Sequence, residues 1–268
     1  MKIIKRIYFK KIFNNPKKAN VVNDTIKLFK ENKNKNLYFL IKKRFEWMNK
    51  FIVKGEKGLE VGAGAGFSKI FTKNKSILIS DFSNDKHLDI KNLDAQNTKL
   101  KSKSFNYIIA ANMIHHLPYP MKFFREMSRI LKKNGKLIIF EPNCSIMLQI
   151  IMLITRHEEV DFTKDVWNLK KSSINNIHPW NGNNAIPNLI FDDKIKFRKN
   201  LEKNFKIIYE GYSECLIFIN SGGVYSRNFY LPLNNFFLNI IYCIENLIIK
   251  IFPSIFALGR KVVLIKTH

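Results

Sequence analysis

The stretch LEVGAGAG, residues 59–66, decides the fold of this chain. Apolar residues lead into it, and glycines then occupy every second position at 62, 64 and 66. Glycine permits backbone angles that are closed to other residues, and it removes Cβ atoms so that a ligand can lie on the backbone. The stretch therefore predicts a strand that ends in a ligand-binding turn, with a helix beginning at Phe67.

Further short apolar segments follow this first strand at intervals, separated by loops or helical patterns. The predicted strands are 57–61, 76–80, 88–93, 105–111, 136–140, 205–210 and 262–266. Between the fourth and fifth strands, residues 121–131 have the apolar spacing of an amphipathic helix. Strands that alternate with such connections predict an α/β fold with a doubly wound, mainly parallel sheet of seven strands.

An acidic residue lies where this fold needs one. Asp81 directly follows the second strand, 19 positions after Gly62. In doubly wound sheets an acid about 20 positions beyond the glycine turn accepts hydrogen bonds from a ribose. However, only about six residues separate Asp81 from the third strand, and a parallel crossover usually needs about a dozen or more. We therefore expect a loop there in place of a helix, which leaves the role of Phe82 open.

The glycine spacing is G-x-G-x-G, with Glu60 two residues before the first glycine. This spacing resembles motif I of the class I S-adenosylmethionine (SAM)-dependent methyltransferases. The resemblance continues in order through several further segments: Asp81, 93–97, 105–109, 112–117 and 129–137. It implies a Rossmann-like fold, a methyltransferase activity and SAM as the cofactor.

The resemblance also implies which residues bind the cofactor. The ribose hydroxyls would donate to Asp81 and the adenine amino group to Asp94, since carboxylates accept hydrogen bonds from such donors. Glu60 would orient the turn and the ammonium group. The complete implied set is Glu60, Gly62, Gly64, Gly66, Asp81, Asp94, Ala95 and Asn112.

The strand pattern breaks after residue 142, and residues 143–200 are expected to form an insertion that shapes the acceptor site. Polar side chains are dense at 157–161, after an apolar helix. His157 here and His116 after the fourth strand are the candidate catalytic bases. The alternative is a solvated helix end for His157 and a packed or capping role for His116. No known metal-ligand spacing is present, so we predict no metal.

Basic residues dominate the chain, which has a formal net charge of +25. Residues 1–54 predict a basic helical region that precedes the methyltransferase domain at 55–268. The excess charge has two interpretations: a compositional bias toward Lys, Asn and Ile, or attraction to anionic membrane, nucleic acid or phosphorylated substrate. The sequence leaves both open.

A second insertion, at about 220–259, is strongly apolar, and from 231 to 259 its only charged residues are Glu245 and Lys250. A returning seventh strand argues against a membrane span, so we expect a lid or a helix lying in a membrane interface. The three cysteines form no CxxC pair, and basic residues interrupt the apolar N-terminus. These features favour a cytoplasmic protein without a signal peptide, and peripheral contact with the inner membrane face stays open.

The sequence therefore predicts a SAM-dependent methyltransferase with a small-molecule, sugar or glycolipid acceptor. The 143–200 insertion and the Ser221-Gly222-Gly223 stretch weakly resemble methyltransferases associated with surface polysaccharide synthesis. Three alternatives stay open: methylation of a lipid or quinone, methylation of RNA, and a non-catalytic SAM-binding scaffold. Nucleic acid is the less favoured partner because no RNA-binding module is recognisable. A dehydrogenase fits poorly, because the only Tyr-x-x-x-Lys spacing, at 38–42, precedes the glycine turn.

Overall fold

A computed structural model describes residues 6–7, 21–31, 33–175, 181–225 and 228–268. Along these residues the strands are β1 (Arg6–Ile7), β2 (Gly58–Val61), β3 (Leu78–Ser80), β4 (Phe105–Ala111), β5 (Leu131–Pro142), β6 (Val160–Asp161), β7 (Phe205–Ser213) and β8 (Gly259–Lys266). The helices are α1 (Val21–Lys30), α2 (Lys35–Met48), α3 (Ser68–Phe71), α4 (Pro120–Ile130), α5 (Ile146–Thr155), α6 (Ile186–Phe191), α7 (Lys194–Leu201), α8 (Leu216–Ile219), α9 (Asn235–Ile251) and α10 (Pro253–Phe256). Much of the predicted helical region before residue 21 lies outside the described residues.

Six of the strands form one sheet in the order β3-β2-β4-β5-β8-β7. Neighbours from β3 to β5 pair in parallel, and β8 is antiparallel to both β5 and β7. The order reverses between β2 and β4, where Val61 pairs with Ala110 near the carboxyl ends of both strands. The Rossmann-like, mainly parallel α/β fold is confirmed, and this reversal point is where such sheets bind ligands.

The predicted count of seven strands was wrong for the described residues. Residues 88–93 contribute only an isolated bridge, between Ser80 and Ile90. The backbone N–H of Ile79 donates to the side-chain carboxylate of Asp89 at 2.7 Å. In a regular sheet this N–H would donate to the backbone carbonyl of a neighbouring strand. The connection after Asp81 is too short for a crossover helix, so the chain turns back along the end of β3.

Apolar residues cover both faces of the sheet. Successive strand residues point to opposite faces, so Ile108 and Ile139 join one cluster while Ile109 and Ile138 join another. Side chains from α4 and α6 complete the first cluster, and side chains from α1, α2 and α9 complete the second. Burial on both faces explains why the central strands are almost continuously apolar.

A buried ion pair holds α2 to the end of β7. Arg44 donates from Nε and Nη2 to the two carboxylate oxygens of Glu214, at 2.6 and 2.8 Å. The Arg44 guanidinium also lies 4.9 Å from the ring centre of Phe140. The N-terminal helices thus share the core of the sheet, and the division of the chain at residue 54 stays a prediction.

Two groups of helices interrupt the later strands. Between β5 and β7 the chain forms α5, β6, α6 and α7, and between β7 and β8 it forms α8, α9 and α10. The Glu245 carboxylate of α9 accepts hydrogen bonds from the N–H groups of Cys215 and Ile217 and so caps α8. Within the described parts of the chain, no helix combines the length and apolar character needed to cross a membrane.

Candidate active site

The glycine turn follows β2 at the reversal point of the sheet. Gly62, Gly64 and Gly66 have φ angles of +67°, +51° and +70°, in the left-handed region that favours glycine. A Cβ at Gly62 would lie 2.7 Å from Cβ of Met113, and one at Gly66 would lie 2.8 Å from Cδ1 of Ile79. The glycines are therefore required both by backbone conformation and by close approach.

Asp81 fastens this turn from the end of β3. Its Oδ2 accepts from the N–H of Gly64 at 2.9 Å, and its Oδ1 accepts from the N–H of Ser83 at 3.0 Å. The side chain is only partly buried. Each carboxylate oxygen has a second lone pair, so Asp81 can hold the turn and accept from a ligand hydroxyl together.

Glu60 lies buried at the base of the turn. Ser68, the first residue of α3, donates its hydroxyl to the Glu60 carboxylate. Burial raises the pKa of Glu60 to about 8, although the Ser68 hydrogen bond opposes this rise. Glu60 thus ties β2 to the helix after the turn, and its contact with a ligand ammonium stays a prediction.

Asp94 and Ala95 reach the same edge of the sheet. The N–H of Leu93 donates to the carbonyl of Asp81 at 2.8 Å, which brings the two acidic residues close along the backbone. Asp94 accepts from the N–H of Gln96 at 2.8 Å, and Ala95 is buried beside it. Asp94 thus follows a residue that bonds to the backbone of Asp81, and its contact with an adenine stays a prediction.

Two side chains that sequence reasoning missed cover the glycine turn. Tyr225 accepts from the N–H of Ala65 at 3.1 Å, and its hydroxyl occupies the space that a Cβ at Gly64 would need. His87 bonds through Nε2 to the carbonyl of Gly64 at 2.7 Å. Tyr225 follows the Ser221-Gly222-Gly223 stretch, which was the available signal in the sequence. Any ligand on this turn must therefore contact or displace Tyr225.

The loop after β4 has an unusual cap. Asn112 adopts a φ of +53°, and its N–H donates to the carbonyl of Phe140 at 2.7 Å. The next two N–H groups, of Met113 and Ile114, both donate to the fully buried carboxylate of Glu141 at 2.8 Å. Glu141 was also missed. The sequence feature that could have identified Glu141 is an acidic residue at the end of an apolar strand, directly before a proline.

The cap sets up a cluster of three side chains. A short 3₁₀ turn spans Ile114–His116, and its two histidine rings lie 4.0 Å apart between centres. Nε2 of His115 is 3.4 Å from one carboxylate oxygen of Glu158, and Nε2 of His116 is 3.8 Å from the other. We call His115, His116 and Glu158 the histidine cluster.

The insertion after β5 brings Glu158 to the histidines. Asn183 donates its N–H to the carbonyl of His115 at 2.9 Å, and Gly182 lies close against both rings. The N–H of Asn184 donates to the carbonyl of Glu159 at 2.9 Å. Two parts of the insertion therefore meet the loop after β4, which makes the cluster a product of tertiary structure.

Charge is distributed unevenly in the histidine cluster. Burial lowers the pKa of His115, but the carboxylates of Glu141 and Glu158 outweigh burial and raise it to about 10. Burial and the neighbouring His115 lower the pKa of His116 to about 4. Burial opposes ionisation of Glu158, yet the histidines hold its pKa well below the usual range. His157, the second candidate base, has an exposed side chain at the edge of this cluster.

A cavity of about 380 Å³ opens within the insertion, and none of its lining residues belongs to the glycine turn. It lies between the 162–167 loop and the helices α6 and α7. Trp167, Asp165 and Asn188 are among its lining residues. An aromatic side chain together with carboxylate and amide groups can contact a polyhydroxylated ligand.

Comparison with known proteins adds a family match. Residues 59–139 match a family model described as a methyltransferase domain. No curated protein matches the chain significantly. Among solved structures, a SAM-dependent methyltransferase from Archaeoglobus fulgidus is similar at 16% identity and a TM-score of 0.44, over 86% of this chain and 99% of that chain. Another, from Aquifex aeolicus, is similar at 22% identity and a TM-score of 0.32, over 37% of this chain and 63% of that chain. The matched family segment contains the glycine turn, Asp81, Asp94 and Asn112.

Proposed function

We propose that this chain is a SAM-dependent methyltransferase that methylates a hydroxyl group of a sugar or glycolipid, in cell-surface polysaccharide synthesis. The match of residues 59–139 to a methyltransferase domain supports the activity. The observation that carries the proposal is the histidine cluster. A hydroxyl is a poor nucleophile until its proton is removed, so it needs a proton acceptor close by. The cluster supplies the imidazole of His116, four residues after Asn112, and the carboxylate of Glu158, which the insertion brings to it.

The residues at the carboxyl ends of β2 and β3 fit SAM. The glycine turn offers backbone without Cβ atoms, and Asp81 keeps free lone pairs for ribose hydroxyls. We assign Asp94 and the adjacent Ala95 backbone to the adenine, and Asn112 to the amino-acid end. When bound, SAM supplies a sulfonium methyl group that the acceptor oxygen takes, while the electron pair of the broken C–S bond stays on sulfur.

The chain contributes position and proton transfer to this reaction. An acceptor held in line with the methyl group gains most of its rate from orientation. His116 lies in the histidine cluster and is the proposed recipient of the acceptor proton, and the role of His157 stays a prediction. The cavity lined by Trp167 and Asp165 lies in the insertion that also carries Glu158, and we assign it to the sugar part of the acceptor.

Changing Glu158 to Gln tests this assignment. We expect transfer of labelled methyl from SAM to hydroxyl-bearing saccharide and glycolipid extracts to slow by about 100-fold, because the carboxylate that organises both histidines is lost. SAM affinity should be unchanged. Glu159→Gln is the matched control and should retain wild-type turnover, since the Glu159 side chain bonds Asn175 outside the cluster.

The identity of the labelled product decides between acceptor classes. The proposal is supported if labelled methyl appears in saccharide or glycolipid and if this labelling falls in Glu158→Gln but not in Glu159→Gln. Label recovered in RNA, or in a quinone or simple lipid, contradicts it in favour of one of those acceptors. SAM binding without labelling of any extract contradicts it in favour of a scaffold.

The exposed face of α9 suits a membrane surface, and we propose peripheral attachment of a cytoplasmic protein to anionic lipid. Apolar side chains recur along this face at three- and four-residue steps: Phe236, Ile240, Ile244, Leu247 and Ile251. A helix of this kind lies in the interface plane with its apolar side in the acyl boundary. The net charge of +25 adds attraction to anionic headgroups.

The paired substitution Ile244→Asp and Leu247→Asp should reduce sedimentation with phosphatidylglycerol vesicles at low salt by at least about tenfold, since each carboxylate would enter the acyl boundary. Ile195→Asp is the control, because Ile195 is 80% exposed on α7, away from this face. Wild-type protein that ignores these vesicles, or an equal loss in Ile195→Asp, contradicts the attachment.

A further inference from the structure

We propose that the histidine cluster binds a divalent transition-metal ion of the zinc class. One ligand atom from each of His115, His116 and Glu158 lies within 4.8 Å of the other two. A tetrahedral ion with bonds of ~2.1 Å holds its ligand atoms roughly 3.4 Å apart. Nε2 of His115 lies 3.4 Å from one carboxylate oxygen of Glu158 and Nε2 of His116 lies 3.8 Å from the other, and both distances are close to that separation.

Each imidazole is oriented by its other nitrogen. Nδ1 of His115 lies 2.6 Å from the buried Glu141 carboxylate, and Nδ1 of His116 lies 3.0 Å from the carbonyl of Asn181. Both partners are acceptors, so both rings carry a proton on Nδ1 and direct Nε2 toward Glu158. Metal-binding histidines have the same outer contacts, with a carboxylate or a carbonyl on the second nitrogen.

The ligand set selects the class of ion. Two imidazoles and one carboxylate suit Zn²⁺ and related first-row ions, whereas Mg²⁺ prefers oxygen ligands and octahedral geometry. The ion needs the Nε2 lone pair of His115, so any proton on that nitrogen would be released to solvent when the ion binds. Gly182 has no side chain at the place where a Cβ would lie 2.8 Å from the His115 ring. The insertion can therefore approach both rings closely.

The geometry leaves a position for one more ligand. The side chains of His116 and Glu158 keep 20% and 15% of their surface exposed, while His115 is almost fully enclosed. Three protein ligands with one open position are typical of catalytic zinc sites. With the ion bound, Nε2 of His116 is a ligand and cannot take the acceptor proton, so holding and polarising the acceptor hydroxyl would replace that step. This role of the ion rests on the proposed function, but binding of the ion does not.

Metal titration of the purified full chain tests the site. Protein dialysed against chelator is titrated with ZnCl₂ by calorimetry, and with CoCl₂ by the visible absorption of tetrahedral cobalt. We expect one ion per chain with micromolar or tighter affinity, and no response to MgCl₂. Glu158→Gln and His116→Ala should each weaken binding by more than about tenfold. Glu159→Gln should bind as the wild type does.

Two outcomes overturn the proposal: no binding of either ion by the wild type, or an equal loss of affinity in Glu159→Gln. Retained SAM binding by the variants shows that they are folded. The titration requires neither acceptor nor turnover, so its failure is distinguishable from failure of the methylation assay. A wild-type chain that binds zinc but labels no saccharide would keep this inference and lose the proposed function.

Discussion

Asp81→Ala is expected to weaken SAM binding by at least about 100-fold. The Asp81 carboxylate accepts from Gly64 and Ser83, at 2.9 and 3.0 Å, and is assigned to the ribose hydroxyls as well. Hydrogen bonds to a charged group contribute about 1.5–3 kcal/mol each, so the loss of two ligand contacts alone amounts to about two orders of magnitude or more. Calorimetric titration with SAM, S-adenosylhomocysteine and NAD measures the effect.

Two further variants show how much of the lost SAM affinity is due to the Asp81 carboxylate itself. Asp81→Asn retains one acceptor oxygen for the Gly64 N–H and should lose less affinity than Asp81→Ala. Asp85→Ala, on the same loop, removes only an acceptor for the Ser83 hydroxyl and should bind nearly as the wild type does. Unchanged affinity in Asp81→Ala would contradict the assignment of the ribose, and binding of NAD alone by the wild type would overturn the choice of cofactor.

The glycine turn and its acid could be predicted because they depend on local sequence. The apolar run into Gly62, the glycine at every second position and the strand that ends at Asp81 are each visible within a few residues. The sheet then brings Asp81 to Gly64 by a rule of parallel topology, since neighbouring strands end at one edge. Local pattern and general topology were together sufficient here.

The histidine cluster could not be assembled from the sequence for the opposite reason. His116 and Glu158 are separated by α4, β5 and α5, and no regular pattern in 143–200 fixes how that insertion folds back. The contact depends on specific hydrogen bonds, such as the one from Asn183 to the carbonyl of His115. The sequence therefore identified His116 as a candidate base but did not join Glu158 to it, and its other candidate, His157, is exposed.

Gly62→Ala is expected to lower the free energy of unfolding by about 3 kcal/mol. A non-glycine residue in the left-handed region costs about 1–2 kcal/mol, and forcing an extra group into a packed contact costs about 1–3 kcal/mol more. Both costs apply, because Gly62 has a φ of +67° and its Cβ would lie 2.7 Å from Cβ of Met113. Met113 cannot simply move away, since its N–H is bonded to the buried Glu141. Denaturant unfolding measures the loss.

Gly55→Ala separates the two costs within the same chain. Gly55 also has a positive φ, of +88°, but nothing lies within 4 Å of its would-be Cβ. Gly55→Ala should therefore lower the free energy of unfolding by at most about 1 kcal/mol, since alanine also reduces the entropy of the unfolded chain. Equal losses at both positions would mean that backbone strain alone requires glycine at 62. A larger loss at Gly62, accompanied by weaker SAM binding, would show that the close approach of the β4 loop fixes the shape of the cofactor turn.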